Sequence, residues 1–405
     1  MKKSILALAV SGVLCAGAAQ AQFDPMMQGE MGYSAHPIFT VGETIGGYTP
    51  PGILDGLGAY QLDLDTIRVL ANHELLHFRG YPYEVSDGMG GTFTMTGARV
   101  SFFDINKHSR EIEAAGLAYD TVYDANGEVA SDTSFLSLPG FGGFSRFCSS
   151  NLIEPGQFGD FLEERGLEDR IYFTGEEDGG GFNAVGGAEW ALDPTTGEIW
   201  ALPDLGRGAW ENVTELDTGD PEKVAILLAD DTAPFNVDDD DVLEAAPLYL
   251  YVGEKKDGDF PSRNGLRGGT LYVWVADDGT TVPSEDFTGN GTFVMGSWVE
   301  IDNAQEVGMA SPDGSTGFDQ YGYPTQQTLW ARAEMLGAFG FSRPEDVATN
   351  PMDGTQAVLA STGRSEFDDG SDRVGTTYII DNDIEMLTAT LTILHDGDQL
   401  SNGQI

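Results

Sequence analysis

The chain has 405 residues, 66 of them acidic and 20 basic, for a formal net charge of −46. A surface of that sign repels nucleic acid and anionic lipid, and it repels anionic small molecules unless bound cations reverse the field locally. Hydrophobic residues make up 40% and aromatics 10%, which excludes a disordered acidic chain. Most of the acids suit a solvated surface in salty water, where screening weakens self-repulsion. A subset can instead coordinate Ca²⁺, a cation that takes carboxylate and carbonyl oxygens.

The N-terminus reads as a secretory leader over 1–21. Lys2 and Lys3 precede an apolar stretch, Ile5 to Leu14, and Ala19-Gln20-Ala21 offers a cleavage site before Gln22. The stretch is too short for a resident membrane helix, so no transmembrane anchor is expected. Leu14 before Cys15 argues against a lipid anchor, and the lysine pair points to general secretion and not twin-arginine export. The expected location is the periplasm or the medium. Removing the leader leaves Cys148 as the sole cysteine. It cannot form an internal disulfide, and reads as a buried apolar side chain or a metal ligand.

The mature chain, 22–405, reads as one all-β domain. Its 54 glycines lie between short apolar and aromatic runs, the pattern of many strands joined by tight turns. Strands are predicted at Thr66–Ala71, Arg99–Asp104, Arg170–Phe173, Glu189–Leu192, Ile199–Leu202, Val224–Leu228, Leu248–Val252, Gly269–Val275, Gly291–Glu300, Thr376–Asn382 and Leu387–Leu394. Helical spacing is confined to Gln157–Glu164 and Gln326–Leu336. With no long helices between strands, a β-propeller is the architecture expected. No clean internal repeat sets a blade count. After Leu394 no closing element is evident before Ile405, so the propeller is expected to be short at its C-terminus, as a natural variant or as part of a longer chain.

Candidate ligands lie near strand ends. Asn72 and Glu74 are two apart and point the same way from an extended chain. His73-Glu74-Leu75-Leu76-His77 formally matches a zincin H-E-x-x-H pattern. A strand precedes it, Gly80, Pro82 and Gly88 follow, and no third ligand is in place, so loop histidines are the better reading. Further along come Cys148, the run Glu176-Glu177-Asp178, Gly206-Arg207 with Glu211, Asp230-Asp231, Glu254, and Arg343-Pro344-Glu345-Asp346. Each alone reads as a solvated turn. Their recurrence suggests convergence on a propeller channel as a carboxylate site suited to Ca²⁺. Such a site would attract phosphate and lower the pKa of a bound water. Arg207 and Arg343 are open to two readings, phosphoryl clamps or salt bridges with local acids. The acidic run Asp238–Asp241 reads as a solvated loop.

Taken in order, these residues resemble the PhoX-type alkaline phosphatase family of exported bacterial propellers, over most of the mature chain. Asn72-His73-Glu74, Phe147-Cys148-Ser149, Thr174-Gly175-Glu176-Glu177, Gly206-Arg207 with Glu211, and Asp230-Asp231 carry the resemblance; Arg343-Pro344-Glu345 is its most specific element. The resemblance implies a six-bladed propeller that hydrolyses small phosphomonoesters at an iron–calcium cofactor (Fe³⁺ with Ca²⁺), with a cofactor-bound oxygen as nucleophile. It implies Cys148 as iron ligand and Glu176, Glu211, Asp231 and Glu345 as cation ligands. Asn72, Glu74, Glu177, Asp230 and Glu254 complete the candidate ligand set, and Arg343 is the implied phosphate contact. The sequence departs from the family at Gly175, where a cysteine is common, and at Trp210, where histidine often precedes the glutamate. It also departs at Ser149-Ser150-Asn151-Leu152, in the lysine leader and at the short C-terminus. Two alternatives stand beside hydrolysis of phosphomonoesters: another hydrolase on the same scaffold, or a calcium-stabilised secreted propeller without turnover. No feature of the sequence sets an oligomeric state.

Overall fold

The segment Lys223–Asp230 is apolar from Val224 to Ala229, and every one of those residues is buried. An unbroken run of this kind suits a strand covered on both faces. By contrast, Thr376–Asp383 alternates buried and partly exposed residues along most of its length, as a strand with one wet face does. The computed structural model describes residues 24–25, 27–159, 164–179, 183–234, 245–283, 287–363 and 372–399. The leader, the run Asp238–Asp241, residues 160–163 of the expected first helix and the chain end after 399 lie outside them.

The fold is all-β and strand-dominated, and four four-stranded meanders recur along it among the described residues. The first comprises β1 (Leu54–Gln61), β2 (Thr66–His73), β3 (Arg99–Asn106) and β4 (Ile112–Leu117). The second comprises β5 (Phe147–Ile153), β6 (Ile171–Glu176), β7 (Gly187–Asp193) and β8 (Glu198–Ala201). The third comprises β9 (Trp210–Leu216), β10 (Lys223–Asp230), β11 (Tyr249–Glu254) and β12 (Thr270–Ala276). A bridging strand, β13 (Phe293–Glu300), precedes the fourth. That meander is β14 (Pro344–Asn350), β15 (Asp353–Ser361), β16 (Thr376–Asp383) and β17 (Thr388–Asp396).

The first two meanders belong to separate sheets, but the third and fourth do not. β13 pairs antiparallel with both β12 and β17, so nine strands form one sheet. That sheet curls until its end strands, β9 and β14, meet in a nearly closed barrel. Side chains make the seam: Thr349 Oγ1 donates to the Glu215 carbonyl at 2.6 Å, and Thr349 N donates to Thr214 Oγ1 at 3.2 Å. Leu227, Leu250, Trp274, Trp298, Leu359 and Tyr378 share the core within this sheet. Ile226, Leu228, Tyr249 and Val273, on the opposite faces of their strands, pack in a second core with Ile171 and Phe173 of β6. A third core joins the second meander to the first through Tyr172, Trp190, Tyr60 and Leu70.

The ten-residue helix Gln326–Met335 starts where the sequence predicts, with the Thr325 side chain accepting from the amide of Thr328. No helix among the described residues is long and apolar enough to cross a membrane.

Two tests follow from the barrel. Leu227→Ala should destabilise the protein by about 2–5 kcal/mol, read from denaturant midpoints, because the filled interior cannot collapse into the gap. Glu215, wholly buried at the seam, has its carboxyl pushed up to about 8 by burial. A raised acid binds its proton more tightly in the folded state. It therefore stabilises fully below the ordinary glutamate range, and that contribution is lost as pH rises towards 8. Glu215→Gln should flatten that fall in a pH series of thermal midpoints.

Candidate metal centre

The four meanders begin at four equivalent corners. The first residues of their leading strands pair with the ends of the second strands: Leu54 with His73, Phe147 with Glu176, Trp210 with Asp230, Pro344 with Ser361. Immediately after each pair the register shifts, so Asp55, Cys148, Glu211 and Glu345 each sit on a bulge. A bulge re-aims its side chain out of the ladder. One residue before each strand, the carbonyls of Ile53, Arg146, Ala209 and Arg343 accept from the amides of Glu74, Glu177, Asp231 and Thr362, at 2.9, 2.9, 2.9 and 3.0 Å. Three of those acceptor residues, Ile53, Arg146 and Arg343, lie at positive φ (31°, 52° and 60°), a strained region for side chains of this size.

Alternation along the second strands then divides adjacent residues. His73, Glu176, Asp230 and Ser361 are buried beneath the corners. His73 Nε2 lies 2.6 Å from Ser101 Oγ. Glu176 accepts from the amides of Ser145 and Ala188 at 3.0 and 3.2 Å, and burial pushes its carboxyl up to about 7. Asp230 accepts from the Ala209 amide, Gln326 and Trp330. Ser361 Oγ donates to the Ser342 carbonyl. Their neighbours Glu74, Glu177 and Asp231 take part instead in the acidic cluster.

Ligand atoms of Asp55, Glu74 and Cys148 lie within 4.8 Å of one another, and so do those of Cys148, Glu177 and Glu211. The thiol belongs to both sets. Burial, then Glu177, Asp231 and Glu345, push the Glu211 carboxyl up to about 9. Burial and the acids Glu211, Glu177 and Asp55 push the Cys148 thiol up. Burial also raises Asp55, Glu74, Glu177 and Glu345, each with further like charge beside it. Two guanidiniums oppose this crowding. Arg146 bonds Glu177 and lies 3.3 Å from Glu74. Arg343 lies 2.6 Å from Asp231 and 3.8 Å from Glu345. The second oxygen of Asp231, Oδ1, is buried with no hydrogen-bond partner.

Of the residues singled out in the sequence, Glu74, Cys148, Glu177, Glu211, Asp231, Arg343 and Glu345 thus lie on this cluster. Asn72 lies behind it, its amide donating to the carbonyls of Cys148 and Ser149 while its Oδ1 accepts from Tyr172. Glu254 pairs with Lys223 at the far end of β10 from Asp231, roughly 26 Å away at strand rise. Arg207 forms a buried ion pair with Asp319 at 2.6 Å, the salt-bridge reading of that residue. The zincin match has no helix: His73 ends a strand, and His77 stacks on Phe141. Asp346, named from sequence within the run Arg343-Pro344-Glu345-Asp346 but not in the ligand set, accepts from Asn212 at 2.8 Å; Asp55 and Arg146 were given no role from sequence. The signal that could have found Asp55 is the recurring pair of a bulky residue and a ligand: Leu54-Asp55, Phe147-Cys148, Trp210-Glu211, Pro344-Glu345.

No family model matches the chain, and no curated protein matches it by sequence. Among solved structures it matches Pseudomonas fluorescens PhoX in complex with vanadate, a transition state analogue, with a TM-score of 0.49 and 15% sequence identity. That match covers 84% of this chain and 66% of the other, a little under two thirds of its length. The likeness is distant and partial.

Burial and like charge favour the protonated forms of Glu211 and Cys148, so a cation held by them would have to displace those protons. Titrating cation-free protein with Ca²⁺ at pH 7 should release protons, seen as calorimetric heats that differ between buffers of unlike ionisation enthalpy. Glu211→Gln should reduce the release by about one proton. Heats independent of the buffer would contradict the arrangement.

Proposed function

We propose that the chain is an exported phosphomonoesterase whose four corners hold a cluster of cations. The observation that carries this reading is the convergence of one thiol and six carboxylates, from Asp55, Glu74, Cys148, Glu177, Glu211, Asp231 and Glu345, on one half-buried cluster with two arginines. The donor set fits cations. Carboxylate oxygens suit Ca²⁺, while a thiolate shared between two ligand groups suits a softer transition metal such as iron. The orphaned Asp231 oxygen fits too, since a buried acceptor without a donor calls for a partner. Bound cations would supply the positive charge that draws a phosphoryl group into an acidic protein and stabilises charge developing on it.

The chain's own residues supply position. The strained corners at Arg146 and Arg343 hold both guanidiniums against the ligand carboxylates. Arg343 is about a third exposed, at 31%, and retains donors that can reach an arriving phosphoryl oxygen. Its place in Arg343-Pro344-Glu345 is the element most similar to the PhoX-type family. The Ser101–His73 pair does not offer a rival nucleophile, because both side chains are fully buried and Tyr48 also bonds the hydroxyl, at 2.6 Å. A six-bladed propeller is part of the same proposal, and the four described meanders are compatible with it. So is release to the periplasm or medium, which rests on the leader.

A second reading, a calcium-stabilised binding module without turnover, draws on one observation. Both arginines are already paired with ligand carboxylates, which lessens their pull on an anion. Elemental analysis and hydrolysis of 4-nitrophenyl phosphate separate the two. The phosphatase reading expects iron with calcium in the purified protein, chelator-sensitive hydrolysis, and a loss of about 10²–10³-fold in kcat/KM for Arg343→Ala. Calcium without iron, and no hydrolysis, would establish the binding module instead.

A further inference from the structure

A cavity of about 670 Å³ opens beside the proposed cation centre and shares Glu74 and Arg146 with it. Its volume falls in the range of small-molecule sites. Ile53, Leu75, Leu76 and Tyr81 give it apolar walls. Gly80, at φ 77°, lets the chain pack closely in this wall: a Cβ there would stand 2.7 Å from Leu75 Cδ1, 3.2 Å from Arg99 Nη2 and 3.6 Å from Pro51 Cβ. The remaining charged wall is Arg79. Arg146 is paired with Glu74 and Glu177. Arg79 has no carboxylate partner among the described residues, and its guanidinium carbon lies 5.0 Å from the Phe78 ring centroid. In a chain with 66 acidic residues, an arginine on the lining of a largely apolar cavity, with no carboxylate partner among the described residues, is a ready anion contact.

We infer that this cavity receives the alcohol half of the substrate, and that preferred substrates are phosphomonoesters whose alcohol has a ring-sized apolar body ending in a second anionic group held by Arg79. The inference rests on the phosphatase reading for the reaction but not for the cavity's ligand class. In hydrolysis, a water oxygen bonds to phosphorus as the ester P–O bond breaks. One water proton passes to the departing alcohol oxygen and the other stays with phosphate. The alcohol is then left against the cavity wall, with the phosphoryl group at the neighbouring arginines.

The test compares kcat/KM for 4-carboxyphenyl phosphate and phenyl phosphate. Wild-type enzyme should favour the carboxylated ester by about tenfold, and Arg79→Gln should abolish that preference. Leu76→Trp, which narrows the cavity, should penalise both aryl esters relative to methyl phosphate. Equal treatment of the two aryl esters by wild type would overturn the inference. Calorimetric binding of 4-ethylbenzoate, which lacks phosphate, keeps the two claims apart. If neither ester is hydrolysed but 4-ethylbenzoate binds wild type about tenfold more tightly than Arg79→Gln, the phosphatase reading fails and the cavity's ligand class stands. No binding, or equal binding, overturns the cavity's assignment.

Discussion

Four backbone hydrogen bonds, from the amides of Glu74, Glu177, Asp231 and Thr362 to the carbonyls just ahead of the four leading strands, hold the corners in one shape. Each corner places a bulge where a ligand side chain can leave the ladder. The cost is electrostatic. Carboxyls are brought into a half-buried space where burial and mutual repulsion raise Glu211 to about 9 and lift its neighbours in the same direction. Desolvated like charge of this kind is costly unless it is protonated, paired or met by cations. The packed barrel and its two flanking cores are what hold such an arrangement together.

The corners are equivalent in backbone but not in chemistry. Arg146 ties the first corner to the second by reaching Glu74 and Glu177, and Arg343 ties the third to the fourth through Asp231 and Glu345. The fourth corner has Thr362 where the others have an acid. Only the second supplies a thiol, and that thiol sits in both ligand groups. Two departures from the PhoX-type pattern also prove to be neighbours. A Cβ at Gly175 would lie 2.4 Å from the Trp210 Cβ and 2.7 Å from Glu189 Oε2. The atoms of residue 210 that crowd Gly175 are its Cβ and carbonyl oxygen, so they demand glycine at 175 whatever side chain stands at 210.

Strands with strong apolar character were legible in the sequence. Lys223–Asp230, Tyr249–Glu254 and Thr270–Ala276 all overlap predicted segments, because both of their faces meet a core. All four leading strands escaped notice. Phe147–Ile153 contains Cys148, two serines and an asparagine, and Pro344–Asn350 begins with proline. Bulges and polar side chains erase the period-two signal where the site is built. The repeat was hidden for a related reason: the equivalent residues are Asp, Cys, Glu and Glu, at unequal spacing. Nor does a sequence say which of two adjacent acids faces the site. Alternation turns Glu177 and Asp231 to the cluster and buries Glu176 and Asp230 beneath it, and only strand register decides that.

The central claim is that the four corners form a cation centre and not a lattice of ion pairs. Anomalous diffraction from crystals of the metal-replete protein addresses it most directly. The account predicts anomalous peaks within coordination distance of Cys148, Glu177 and Glu211, with at least one more beside Asp231. Density showing no cation, with Arg146 and Arg343 holding the same carboxylates unaided, would contradict it.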